Sequence, residues 1–255
     1  MAYDNIEVSF ENGLGTITLN RPPVNVMNIA MMGEINEVLD SWQGNKDLKV
    51  VLFNAKGKCF SAGVDVGEHM GDLAPKMIEA FHGIFRRMYK MGVLTVASVY
   101  GSCLGGACEL AIFCDLLIAS ENTKLGQPEI QVGVFPPIAA QIMPRSIGFK
   151  AANDLVFSGR IISAEESFRI GLVNKVVKDG DLENETSVFL KPYLKLSAKV
   201  LRTTKKAMTA GLMDDLEPSL KAIEDIYINE LMKTHDAHEG LNAFLEKRKP
   251  EWKNE

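Results

Sequence analysis

The 255-residue chain is long enough to bury a sizeable core, and its 46% hydrophobic and 24% charged residues are ordinary for a folded globular protein. A net charge of -5 supplies no general basic surface, which argues against nucleic acid as the main partner. No uncharged apolar run reaches ~18 residues and residues 1–15 hold no basic segment followed by an apolar one, so the expectation is a cytoplasmic protein with neither membrane span nor secretory signal.

Residues 6–10 and 14–19 are short β-prone runs separated by Glu11-Asn12-Gly13, which predicts a hairpin. After the breaker Arg21-Pro22-Pro23, residues 29–42 show helical periodicity through Met32, Ile35, Val38 and Leu39. Residues 50–53 read as a buried strand, 77–91 as an amphipathic helix and 93–99 as another strand. The alternation continues with a strand at 116–119 and a helix at 146–157. Ser163-Ala164-Glu165-Glu166 is a capping box for a helix ending at Gly171, and residues 172–177 return as a strand. From about Val188 no strand is evident, and Glu and Lys alternate with Leu, Ile, Met and Phe in helical fashion. The expectation is an α/β body, residues 1–195, followed by a helical region, residues 196–255. No GxGxxG follows a strand and no GxxxxGK is present, which weakens nucleotide-dependent redox or kinase chemistry.

Cys59, Cys103, Cys108 and Cys114 form no CxxC pair and none adjoins a histidine, so reduced thiols are expected rather than a zinc site. His235 and His238 stand i, i+3 on a predicted helix without a third ligand, and no metal is expected there.

The stretch 101–120 reads as a buried core segment, yet it carries Gly105-Gly106 and then a single carboxylate, Glu109. A helix starting near Gly106 leaves its first N–H groups without intrahelical acceptors, with the positive end of the dipole facing outward. Glycine there admits close approach of a ligand oxygen, and Glu109, nearly one turn on, is placed for proton transfer beside it. The alternative is purely structural: a tight helix start with Glu109 as a dipole partner. A second loop, residues 59–65, offers Gly63 for close approach and the Val64 N–H as another donor, with Asp65 and Glu68 spaced as a capping box. Two donors from distant loops make an oxyanion hole. Glu129 in Gly126-Gln127-Pro128-Glu129-Ile130 is either a surface acid or the second carboxylate of an acid/base pair.

Taken together, FSAGVD (60–65), LGGACELA (104–111), GQPEI (126–130) and SAEESFRIGLVNKVV (163–177) resemble the crotonase (enoyl-CoA hydratase/isomerase) superfamily, and the likeness runs over nearly the whole chain. The resemblance implies a spiral of ββα turns with a helical C-terminal region that forms trimers, so a homotrimer or homohexamer. It implies an acyl-CoA thioester as substrate and no separate cofactor. By position, Val64 and Gly106 would hold the thioester oxygen, and Glu109 and Glu129 would be the catalytic acids of a hydratase. Val24, Ala62, Gly63, Asp65, Phe244 and Lys247 match positions that contact the CoA ester, although Lys247 in its EKRK run also reads as a solvated charge.

Two segments depart from the common pattern. Where many members have a glycine-rich run after the second glutamate, this chain has Gly133-Val134-Phe135-Pro136-Pro137-Ile138, and Pro22-Pro23-Val24-Asn25 stands in the early turn. With FSAGVDVGEH (60–69), these features look like the alicyclic dienoyl-CoA hydratases, which act on cyclohexa-1,5-diene-1-carbonyl-CoA in anaerobic benzoyl-CoA breakdown. An apolar wall of Val134, Phe135 and Ile138 suits a flat ring, and equally a short aliphatic chain. The competing readings are a general short-chain enoyl-CoA hydratase, an enoyl-CoA isomerase and a non-catalytic acyl-CoA-binding protein.

Overall fold

The computed structural model describes residues 3–211, 213 and 215–255, so Met1 and Ala2 of the stretch read for a secretory signal lie outside the described residues. The expected hairpin is present as β1 (Ile6–Glu11) paired antiparallel with β2 (Leu14–Leu19). Helix α1 (Ile29–Ser41) begins at Asn28, whose side chain caps the Met31 N–H, and buries the predicted Met32, Ile35, Val38 and Leu39. From β3 onward the chain repeats one pattern. A strand enters a large sheet, a short extended segment enters a small one, and a helix returns. The first turn is β3 (Val50–Ala55), a bridge at Ser61, a 3-10 turn Val66–His69 and α2 (Leu73–Met91). The second is β4 (Leu94–Val99), β5 (Ser102–Leu104) and α3 (Gly106–Phe113). The third is β6 (Leu116–Ser120), β7 (Lys124–Gly126), a 3-10 turn Pro128–Val132 and α4 (Pro137–Ile147).

The large sheet has the order β1-β2-β3-β4-β6-β9, with β9 at Lys175–Val177, and is parallel from β2 onward. The small sheet has the order β5-β7-β8, with β8 at Ile161–Ser163. Alternation along β3 sorts its side chains to two faces. Val51 and Phe53 enter the main core with the α1 and α2 side chains, whereas Val50 and Leu52 join Val96 and Leu190 in a second cluster. Burial on both faces explains why this strand reads as an unbroken apolar run.

The expected helix at 146–157 is two helices: α4 ends at Gly148 and α5 (Phe149–Ser158) begins there. Gly148 has φ 80° and ψ 153°, a backbone state that interrupts the helical ladder and that local periodicity does not reveal. The Ser163 cap holds, accepting from the Glu166 N–H at 3.1 Å. The Glu166 carboxylate turns instead to Arg160, so the box is half made. Only the last three residues of the predicted strand 172–177 pair.

After α6 (Ala164–Arg169) and β9, the chain is helical: α7 (Leu182–Leu194), α8 (Ala198–Thr209), α9 (Leu216–Asp225), a π-helical turn Ile226–Glu230 and α10 (His235–Leu245). Polar ties hold these helices to the body. Arg202 donates to the Leu48 carbonyl at 2.8 Å and Lys205 to the Val93 carbonyl at 2.8 Å. All four cysteines are free and buried. Among the described residues no helix is long and apolar enough to cross a membrane.

Asn25 fastens the first loop to the segment before Ser61. Its buried Nδ2 donates to the carbonyls of Lys56 (2.8 Å), Cys59 (3.0 Å) and Phe60 (3.1 Å), while its Oδ1 accepts from the Arg21 N–H at 2.8 Å. Asn25→Ala strands those buried groups. Stability is expected to fall by about 1–3 kcal/mol, read as a lower urea midpoint with an unchanged slope.

Candidate active site

Residues 61–65 are clamped from two sides. Ser61 bridges Cys103 in parallel, and Val64 bridges Met27 in parallel. In the second bridge the Met27 N–H donates to the Gly63 carbonyl and the Asp65 N–H donates to the Met27 carbonyl, both at 2.9 Å. A parallel bridge uses the groups flanking Val64, so the N–H of Val64 itself faces the other way. On the facing loop, Gly105 adopts φ 54° and ψ -134°, its N–H donating to the Gly126 carbonyl at 2.9 Å, and α3 starts at the next residue. The Gly106 N–H is the first of the helix and has no intrahelical acceptor. No protein acceptor takes the N–H of either Val64 or Gly106 among the described residues. The two residues are close: a methyl group on Gly106 Cα would lie 2.5 Å from Val64 Cγ2 and 3.0 Å from Phe81 Cζ.

Both donors open on a cavity of about 470 Å³ that Ala62, Gly63, Glu109, Glu129 and Phe244 also line. Five of the predicted positions therefore join Val64 and Gly106 in one site, and at least three others do not line it. Val24 lies behind the loop, its carbonyl accepting from the Ala62 N–H at 3.0 Å. Asp65 caps the 3-10 turn, accepting from the Gly67 N–H at 3.0 Å. Glu68 does not complete that box, because its carboxylate accepts from the Ile29 N–H at 2.7 Å. Lys247 is exposed with φ 56°, and its neighbour Arg248 reaches the cavity instead.

Glu109 is 2% exposed. Its Oε1 accepts from the N–H groups of Ile138 (2.7 Å) and Ala139 (2.9 Å), at the N-terminus of α4. Pro137 at the first helical position has no N–H to offer, so the carboxylate meets the next two donors and the positive end of the helix. Burial raises the Glu109 pKa to about 7, against the lowering effect of these two bonds. Ile138 thus serves through its backbone. Val134, Phe135, Pro136 and Pro137 line the cavity and Ile138 does not, which corrects the expected Val134/Phe135/Ile138 wall.

Glu129 follows Pro128 on the third turn of the spiral. Its carboxyl lies against Gly105, where an added methyl would sit 2.9 Å from Oε1. Burial and then the charge of Glu109 push its pKa well above the carboxylate range. Both acids are thus raised in pKa, each by burial first, and Glu129 also by the neighbouring Glu109. Gln127 is fully buried beneath them. With its amide nitrogen assigned toward the acceptors, it donates to Glu129 Oε1 (3.1 Å) and to the Gly105 carbonyl (3.3 Å).

Several lining residues carried no sequence signal as site residues, His69, Phe81, Tyr227 and Arg248, and neither did Gln127, which supports Glu129. Phe81 and Tyr227 stand at helical core spacings, and nothing local marks them as facing a cavity. His235 and His238 are engaged with Asp236 and the Met232 carbonyl. Among the described residues no group of three or more His, Cys, Asp or Glu is placed to hold a metal.

Residues 9–255 match the family described as Enoyl-CoA hydratase/isomerase. A cyclohexa-1,5-dienecarbonyl-CoA hydratase of Thauera aromatica is 37% identical over 244 residues, covering 96% of this chain and 94% of that protein. A short-chain-enoyl-CoA hydratase of Clostridium acetobutylicum is 32% identical, covering 98% of each. The crystal structure of an enoyl-CoA hydratase from Mycobacterium avium subsp. paratuberculosis superposes with a TM-score of 0.89 at 24% identity, covering 99% of this chain and 100% of that one, a likeness of fold.

The raised pKa of Glu109 makes stability depend on pH. Between the unperturbed value of 4.5 and about 7 the folded protein keeps a proton that the unfolded chain has released. The stability this contributes is complete below 4.5, declines as pH rises through the window and is lost above about 7. Glu109→Gln cannot ionise and should flatten this part of the profile. Its melting temperature relative to the native protein is expected to be higher at pH 8 than at pH 5 in thermal scans.

Proposed function

Because the chain belongs to the enoyl-CoA hydratase/isomerase family, we propose that it adds water to an α,β-unsaturated acyl-CoA, with cyclohexa-1,5-diene-1-carbonyl-CoA as substrate in the anaerobic degradation of aromatic compounds. It is an enzyme of the hydro-lyase type. The observation that carries the reading is the pairing of two free backbone donors with two carboxyl groups, Glu109 buried and Glu129 half-buried, in one cavity.

In this mechanism the thioester oxygen accepts from the N–H groups of Val64 and Gly106, which draws electron density from the β-carbon. Glu109, titrating at about 7, takes a proton from water as its oxygen bonds to the β-carbon. Charge moves to the thioester oxygen, where the two donors hold it. Glu129, which enters protonated, delivers its proton to the α-carbon. The sum is addition of one water with no change in oxidation state, so the reaction calls for no redox cofactor. Ala62, Gly63 and Phe244 border the path of the CoA ester, with Val24 and Asp65 shaping the loop behind and Lys247 near the rim.

Two features support a ring as the acyl group: the aromatic wall of Phe135 and Tyr227, in edge-to-face contact with centroids 5.3 Å apart, and the likeness to the Thauera hydratase. Retention of both acids favours hydration over isomerisation. We also read the protein as a cytoplasmic homotrimer or homohexamer, with residues 196–255 in the subunit contacts. Exposed Val200 and Met208 on α8, and Phe149 and Phe157 on α5, support burial between subunits.

Glu109→Gln and Glu129→Gln are each expected to lower turnover by about 10²- to 10⁴-fold while binding of unreactive butyryl-CoA persists. Loss of conjugated absorbance with a mass gain of one water reports the reaction. Preference for the cyclic diene over crotonyl-CoA is the expected result, and the reverse preference would return the protein to short-chain enoyl-CoA hydration. Full activity of either variant would remove the acid/base assignment.

A further inference from the structure

The helical C-terminal region places one more polar group in the cavity. Tyr227 is 1% exposed and lies in the π-helical turn that follows α9. Its ring stands edge-on to Phe135, 5.3 Å between centroids at 78°. Leu216, Leu220 and Tyr227 are the buried residues of this stretch, at spacings that read as one core stripe. A phenylalanine would complete such a stripe. The hydroxyl is therefore what packing does not explain.

Among the described residues no protein group hydrogen-bonds that hydroxyl. The hydroxyl is not one of the fully enclosed polar atoms left without a partner, so it opens on the cavity, where a bound molecule can accept from it. Tyr227 lines the cavity with Glu109 and Glu129. Burial, and the two carboxyl groups wherever they are ionised, raise its pKa, which leaves it a neutral donor throughout the working range. The π turn inserts an extra residue per turn and shifts the direction of its side chains, and such turns recur at functional sites. Here Ile226 faces solvent while Tyr227 faces inward.

We propose that Tyr227 is a third catalytic residue of the hydration, its hydroxyl donating a hydrogen bond to the oxygen of the water that Glu109 and Glu129 hold and that becomes the hydroxyl of the product. The inference rests on the hydratase reading above. The phenol forms and breaks no covalent bond. It orients the lone pair of the water toward the β-carbon while Glu109 takes the proton from the other side. Its ring, braced by Phe135, sets the distance between that oxygen and the acyl group.

The test is Tyr227→Phe, which keeps the ring and its contact with Phe135. Hydration of cyclohexa-1,5-diene-1-carbonyl-CoA and crotonyl-CoA is measured for both proteins, together with the Kd for butyryl-CoA. The expected result is a kcat lower by about 3- to 10-fold, the worth of one hydrogen bond to a neutral oxygen, with butyryl-CoA affinity within about twofold. An unchanged kcat would overturn the proposal, as would a fall in activity matched by an equal fall in butyryl-CoA affinity, which marks a packing role. Failure of the unaltered protein to hydrate either thioester would overturn the hydratase reading, and the role of Tyr227 with it. Hydration that is undiminished in Tyr227→Phe leaves the hydratase reading standing and removes only the tyrosine.

Discussion

The site depends on the register of three short parallel segments. Ser61 bridges Cys103, and Cys103 pairs with Leu125. Three residues beyond each of these stand Val64, Gly106 and Pro128, the last followed at once by Glu129. A parallel ladder keeps equivalent positions of successive turns side by side, so chain ends that are far apart in sequence leave the small sheet at one edge. A slip of one residue in β5 would turn Gly106 away from Val64 and reverse the facing of every side chain in the strand. The repeated turn of the spiral is thus what gathers the two donors and Glu129, while the large sheet and its core hold the turns in place.

The electrostatics of the cavity follow from where α4 begins. Its Pro136-Pro137 start is rigid and presents the N–H groups of Ile138 and Ala139 to Glu109. That contact keeps an almost fully buried carboxylate ionisable near neutral pH, where burial without donors would leave it protonated. Glu129 has no such helix end. Its charge is opposed by burial and by Glu109, which raise its pKa. The burial that raises the pKa of Glu109 also costs stability as pH rises.

The helical C-terminal region completes the cavity as well as covering the body. Gly240 of α10 packs against the backbone of Val132 so closely that a side chain there has no room, which brings Leu241 and Phe244 over the turn that carries Glu129. Tyr227 enters from the π-helical turn between α9 and α10. Ala62, Gly106 and Glu129 of the body therefore share walls with residues more than a hundred positions further along the chain.

Much of this architecture is legible in the order of residues. Apolar spacing locates α1, β3 and β4 to within a few residues, because a helix or strand advertises its buried face locally. The paired glycines before Glu109 and the Gly63-Val64 pair point to a backbone that admits a ligand oxygen, since close approach is a property of the residue itself. Other features are invisible at that level. The turn of Glu68 to the Ile29 N–H depends on a partner remote in sequence, and local periodicity marks neither the break at Gly148 nor the choice of Arg248 over Lys247 at the cavity. The acidities of Glu109 and Glu129 and the inward phenol of Tyr227 belong to the same class. Residue type states which groups can donate, accept or ionise, whereas desolvation and hydrogen-bond partners arise only when the turns of the spiral and the C-terminal helices close around one space.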